Sequence, residues 1–143
     1  MLEQEVGEAI WWKAIQYYVK TYAGKLVETK DFQHAIEKVS GKSYQWFFDQ
    51  WIYKIGMPSL FVTKHYDNSK KALILSIKQN QSQENKTNFD HVKFFRGKIA
   101  LEIDGRIAYI ALQPEAETIV SISQKTAPKY VHFNVHENFL CTY

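Results

Sequence analysis

Between Ile55 and Leu60 the stretch Gly56-Met57-Pro58-Ser59 ends one kind of hydrophobic periodicity and opens another. Before it, apolar residues recur at the three- and four-residue spacing of helices with one buried face. From Leu60 they recur every second residue, as in strands packed on one side. Glycine closes a helix by taking left-handed backbone, and proline two residues later has no N–H with which to continue one. Helices segregated from strands in this way predict an α+β molecule. The expected division is a helical segment over 1–58 followed by a small antiparallel β-sandwich over 59–143.

The first helix is predicted over residues 2–22. Val6, Ala9, Ile10, Ala14, Val19 and Tyr22 form its apolar stripe, and Trp11, Tyr17 and Tyr18 broaden it. Glu3, Glu5 and Glu8 lie early and Lys20 late, the order the helix dipole favours. No Ser, Thr, Asp or Asn precedes Leu2 as a cap, a pattern expected of a chain that starts inside a helix. Gly24 is the expected stop. A second helix is predicted from a Thr29 cap, with Asp31 in its first turn, Phe32, Ala35, Ile36 and Val39 inward, and Gly41 as the left-handed terminator. Ser43 is the expected cap of a third, running to about Ile55. Phe47, Phe48, Trp51, Ile52 and Ile55 are its core candidates. Phe47, Trp51 and Ile55 share one face at four-residue steps, which makes Trp51 an expected core residue, while Trp46 and Tyr53 lie off that stripe.

Leu60-Phe61-Val62 opens the strand region, with a turn expected at Tyr66-Asp67-Asn68-Ser69. Leu73, Leu75 and Ile77 then alternate with polar residues down to Gln79. Residues 80–90 are polar and read as a loop anchored by Phe89. Ile99, Leu101 and Ile103 lead into Asp104-Gly105, the dipeptide of a two-residue type I′ hairpin. That turn sets Ile103 against Arg106, Leu101 against Ala108 and Ile99 against Ile110, with Ile99, Leu101, Ala108 and Ile110 as the core face. Two further strands are predicted over 118–123 and 130–135.

The ordered series Thr29-Lys30-Asp31-Phe32, Val39-Ser40-Gly41, Phe47-Phe48-Asp49-Gln50-Trp51-Ile52 and Gly56-Met57-Pro58-Ser59-Leu60 resembles the M1 family of zinc aminopeptidases. Gly7, Trp11-Trp12 and Tyr18 are similar to the helix that precedes this run in the family. Leu73-Ile74-Leu75-Ser76-Ile77-Lys78-Gln79 is similar to a strand of the β domain that comes next. The resemblance is good over 1–79 and topological beyond. It implies the end of a thermolysin-like catalytic domain joined to a β-sandwich. The parent would hold zinc on a HExxH helix and remove N-terminal residues from peptides. None of that motif falls on these residues, so the resemblance implies a non-catalytic fragment with no zinc of its own and the rest of the catalytic lobe as its partner. The family also includes a transcription-initiation subunit that keeps the architecture without the peptidase chemistry, which leaves an inactive scaffold as the alternative. A free-standing β-sandwich binding module is a third.

Composition narrows the remaining classes. With 45% hydrophobic residues in 143, the chain has material for a core and is unlike a disordered segment. Its net charge is +3, and the lysines are scattered around only Arg96 and Arg106, so no dense basic field for nucleic acid is expected. No apolar run reaches membrane-spanning length, and the acidic N-terminus is unlike a signal peptide. Asn85-Lys86-Thr87 fits the glycosylation sequon, a short and frequent match.

His132 and His136 have the four-residue spacing of a zinc motif, but Phe133 stands where a general base would, and the segment alternates as a strand. Straight-strand geometry would hold them ~13 Å apart, too far for one metal. Asp49 with Asp67, and Glu115 with Glu117, read as structural carboxylates, Asp49 bonded to neighbouring backbone or lysine. Cys141 has no histidine partner. His34 and His65 have no metal-binding companions. No catalytic, cofactor or metal residue is therefore expected. The aromatic N-terminal helix, by contrast, is expected to expose an apolar face, with dimerisation through it as one outcome.

Overall fold

The computed structural model describes residues 1–81 and 88–143, so the Asn85-Lys86-Thr87 sequon lies outside the described residues. The chain forms two compact units, one of Leu2–Ile55 and one of Gly56–Tyr143 together with Met1. The class is α+β, with N-terminal helices followed by two small antiparallel sheets.

The helical unit contains α1 (Leu2–Val6), α2 (Glu8–Tyr22), α3 (Thr29–Ser40) and α4 (Gln45–Phe48), the last continuing into a π-helix over Asp49–Tyr53. The single helix expected over 2–22 is broken at Gly7, whose φ of 87° lies outside helical space. The break keeps its hydrogen bonds. Gly7 N–H reaches Glu3 O at 2.7 Å, and Trp11 N–H reaches Gly7 O at 2.9 Å. The α3 cap is Glu28 and not Thr29: the Glu28 side chain accepts from the Asp31 N–H while the Asp31 carboxylate accepts from the Glu28 N–H, a reciprocal box. Gly41 closes the helix at φ 68°, as its position implied.

Ala14, Ile36, Tyr44, Phe47 and Phe48 make the core of this unit, with Trp11, Phe32 and Trp51 partly buried against them. Phe32 sits at its centre. Its ring meets Trp11 edge-on at 6.0 Å, Tyr18 at 5.3 Å and Phe48 at 6.4 Å. Four expected core positions fail: Ala9 is exposed, and Val19, Ile52 and Ile55 are 60%, 54% and 38% exposed. Trp51 is half-buried beside Phe47. The cause for the last turn is local. Lys54 N–H bonds Asp49 O at 2.9 Å, a five-residue step that widens the turn. The residues of that turn are thereby displaced around the helix, and since Lys54 takes extended backbone the helix ends at Tyr53, short of the expected Ile55.

The second unit begins at Gly56, whose φ of 131° suits glycine and whose missing Cβ leaves room for the Phe95 ring; a methyl there would stand 3.3 Å from it. One sheet has the order β1-β2-β5 (Leu60–Asp67, Ala72–Gln79, Glu117–Ser123) and the other β4-β3-β6 (Arg106–Leu112, Gly97–Ile103, Val131–Phe133). All pairings are antiparallel. The first strand runs on to Asp67, so the turn falls at residues 68–71. Asp67 Oδ1 closes it by accepting from Ser69 N–H at 2.9 Å and Lys70 N–H at 3.0 Å. Hairpin β3–β4 has the expected register of Ile103 on Arg106, Leu101 on Ala108 and Ile99 on Ile110. Asp104 and Gly105 take φ of 47° and 80°, both positive as the type I′ turn requires. Leu73, Leu75, Ile77, Ile99, Leu101 and Phe95 are all at most 2% exposed and form the apolar interior. Phe89, expected as an anchor, is exposed. β6 ends at Phe133 because Asn134 turns left-handed at φ 54°.

Candidate functional site

Two polar clusters, one in each unit, combine organised hydrogen bonding with an adjacent open cavity. In the helical unit the cluster centres on Glu37 of α3. Its Oε1 accepts from Tyr44 N–H at 2.8 Å, Gln33 Nε2 at 3.1 Å and Ser43 Oγ at 3.2 Å. Gln33 also donates to Gln45 Oε1 at 2.8 Å, and Gln45 Nε2 donates to Asp49 Oδ1 at 2.8 Å. Partial burial alone would raise the Glu37 carboxyl. The donated bonds from Tyr44, Gln33, Ser43 and Gln45 outweigh it and hold the group below its ordinary value. Glu37 thus takes up the Tyr44 N–H at the entry to α4, while Ser43 Oγ, the expected cap, accepts from the next one, Gln45 N–H, at 3.3 Å. Beside it lies an open cavity of about 390 Å³ lined by Tyr22, Lys30, Asp31, His34 and Gln45 among others.

In the β unit the cluster is at the C-terminal segment. Asn134 is buried, and its amide donates to Phe139 O at 2.9 Å while its Oδ1 accepts from Phe139 N–H at 3.2 Å. The same amide lies 3.8 Å from Cys141 Sγ. An open cavity of about 430 Å³ is lined by Glu137, Phe139, Cys141 and Tyr143 with their neighbours. Burial pushes the Cys141 thiol up to about 11, so it is protonated at neutral pH and poorly suited to attack.

The histidines and carboxylates singled out from sequence are dispersed. His132 sits on β6 opposite Glu102, against the Tyr130 ring, and His136 is exposed beyond the left-handed Asn134. Since the strand stops between them, the straight-strand separation expected for the two histidines does not describe them. Asp49 and Asp67 belong to different units. Asp49 is bonded by a side-chain amide, where backbone or lysine was expected. Glu117 accepts from Ser76 Oγ across the β2–β5 pair at 2.6 Å, and Glu115 is exposed in the preceding turn. Among the described residues no three His, Cys, Asp or Glu side chains gather as a metal site. No helix among them is long and apolar enough to cross a membrane. What the two clusters do is organise backbone. Sequence reasoning passed over Glu37, Gln79 and Asn134. Gln79 and Asn134 carried a faint signal, since each is a polar residue on the inward register of its strand or just beyond its end.

No family model matches the chain. Over 119 residues, 83% of its length, it is 28% identical to a probable aminopeptidase 2 of Sulfurisphaera tokodaii, of which it covers 14%. Over 53 residues, 37% of its length, it is 36% identical to transcription initiation factor TFIID subunit 2 of Saccharomyces cerevisiae, of which it covers 4%. In fold it is similar to Legionella pneumophila aminopeptidase A, solved in complex with aspartic acid. The TM-score is 0.67 at 21% identity, over 86% of this chain and 14% of that one. The chain therefore spans a small part of each relative's length, and over most of its own length it is aminopeptidase-like.

Proposed function

We propose that this chain is the C-terminal end of the catalytic domain and the following β-sandwich domain of an M1-type zinc aminopeptidase, and that it serves there as scaffold. One observation carries this reading. The ordered motifs from Thr29 to Leu60 occupy α3, α4, the π-helix and the start of β1, and the similarity to aminopeptidases extends over 83–86% of the chain. In this reading zinc and the attacking water belong to the rest of the longer protein, which binds peptides by their N-termini and cleaves the first residue. This segment contributes no catalytic side chain and interacts with neither nucleic acid nor membrane. The exposed Trp12 and Val19 of α2 face the remainder of the catalytic lobe.

A second reading is an M1-like scaffold that lacks peptidase chemistry. The 36% identity to the TFIID subunit over 53 residues favours it. The test is a pair of measurements on the full-length protein that contains this segment: zinc content, and hydrolysis of aminoacyl p-nitroanilides. One zinc per chain with turnover supports the enzyme, and neither supports the scaffold. The 143-residue chain alone is expected to hold no stoichiometric zinc and to show no hydrolysis. Zinc retained by that chain and lost on His132→Ala or His136→Ala would overturn both readings.

A further inference from the structure

Each three-stranded sheet of the β unit has two outer edges, and the four edges differ in how they are protected. The start of β1 is bonded through Leu60 N–H to Thr142 O at 2.7 Å, and the strand carries Lys64 and His65. β5 carries Glu117 and two outward serines, and β6 is only three residues long. Charge, cover and brevity are the usual devices that keep an edge from pairing. β4 has only Arg106, at its hairpin end. After Arg106 it reads Ile107-Ala108-Tyr109-Ile110-Ala111-Leu112, with no charge, proline or glycine, and Ile107 and Tyr109 are 45% and 59% exposed. Ile110 and Leu112, both buried, fix the strand on β3.

The register decides which backbone groups are free for a partner. A two-residue hairpin makes Ile103 and Arg106 a hydrogen-bonded pair, and such pairs alternate along the ladder. Arg106, Ala108, Ile110 and Leu112 thus spend their N–H and C=O groups on β3, while those of Ile107, Tyr109 and Ala111 point away from it. Ala111 O receives a marginal 3.5 Å contact from the Gln113 amide. The three outward residues are evenly spaced about Tyr109. A second β4 laid antiparallel with Tyr109 on the two-fold axis pairs Ile107 with Ala111 of the other copy and uses every outward group. Arg106 then falls opposite Leu112, so no like charges meet. About this axis every outward backbone group finds a partner and the one charged side chain, Arg106, meets an apolar residue.

We propose that the β4 edge is an interaction surface whose partner is β4 of a second copy of this chain, joined antiparallel and two-fold about Tyr109. The inference rests on the β unit alone and does not depend on the proposed function. Sedimentation velocity of the 143-residue chain across a concentration series is expected to show a reversible dimer. Tyr109→Lys sets two ammonium groups on the axis and should weaken that dimer at least about tenfold, with unchanged far-UV circular dichroism. In a Cys141→Ser background, Tyr109→Cys should form an intermolecular disulfide, since residues facing across such a pair lie ~5.5 Å apart, within disulfide reach. Ile119→Cys, exposed on β5, should not. Trp12→Lys should leave the dimer intact. A chain that stays monomeric would overturn the proposal, as would a dimer that survives Tyr109→Lys or one lost on Trp12→Lys instead.

Discussion

Gln79 and Phe95 clasp each other through a reciprocal pair of hydrogen bonds. The Gln79 amide donates to Phe95 O at 2.7 Å, and its carbonyl accepts from Phe95 N–H at 2.8 Å. The side chain thus poses as one more residue of strand backbone. It also donates to Gln113 O at 3.0 Å, so a single amide ties the end of β2 to two other segments. Gln79 is on the inward face of β2 in register with Leu73, Leu75 and Ile77, and it is itself 6% exposed.

Gln79→Ala should therefore cost about 3 kcal/mol, because it strands buried N–H and C=O groups that water cannot reach. Gln79→Glu should be no better, since a carboxylate would face the carbonyls of Phe95 and Gln113. Urea melts of the chain are the check, and a loss under about 1 kcal/mol for Gln79→Ala would refute the clasp.

Asn134 repeats the arrangement with Phe139, but on left-handed backbone at φ 54°. Asn134→Ala should destabilise more than Asn134→Gly. Both lose the clasp, and only glycine keeps the backbone unstrained, a difference of about 1 kcal/mol. The reverse order in paired melts would contradict the geometry.

The π-helix can be tested by contrast. Phe48, 2% exposed, should cost about 3–5 kcal/mol on truncation to alanine. Ile52, 54% exposed, should change stability by no more than about 0.5 kcal/mol. A regular α-helix continuing the Phe47 stripe would make the two penalties comparable.

Glu37 sets a sign for acid sensitivity. Its folded-state value is lowered from 4.5, so its contribution is present above that pH and is lost as the pH falls through the folded value. Glu37→Gln should be less stable than the native chain at pH 7 and should lose less on acidification below 4.5. Thermal melts of helical ellipticity across that window would reveal it, and parallel pH profiles would refute it.

Cys141 should alkylate slowly near neutral pH and accelerate toward pH 11, since burial disfavours its thiolate. Unfolding in urea should restore the rate of an ordinary thiol. Rapid labelling of the folded chain would contradict the burial that disfavours its thiolate.

Where a dipeptide or a single residue dictates its own backbone, the structure was legible in the sequence. Asp104-Gly105 prescribes its own turn and, through it, seven paired positions from Gly97–Leu112 to Ile103–Arg106. Gly41 likewise terminates α3 by its own conformational freedom. Residues whose role depends on distant backbone were not legible. Nothing adjacent to Gln79 announces Phe95, and nothing adjacent to Glu37 announces that it takes up the Tyr44 N–H. Gly7 fell between these cases: its capacity to break a helix is local, yet the apolar stripe continues across it. The straight strand assumed between His132 and His136 was undone by the left-handed Asn134.

The wide turn from Asp49 to Lys54 accommodates one residue more than an α-helical turn needs. Such a turn is a place where chain length is negotiable. Removing a single residue there leaves a regular helix with its hydrogen bonds intact and rotates the residues after it by roughly 100°. Ile52 and Tyr53 would then sweep from the outside of the unit toward the side now held by Trp51. Deletion at this turn therefore changes which aromatic surface the molecule presents without unravelling the helix that presents it.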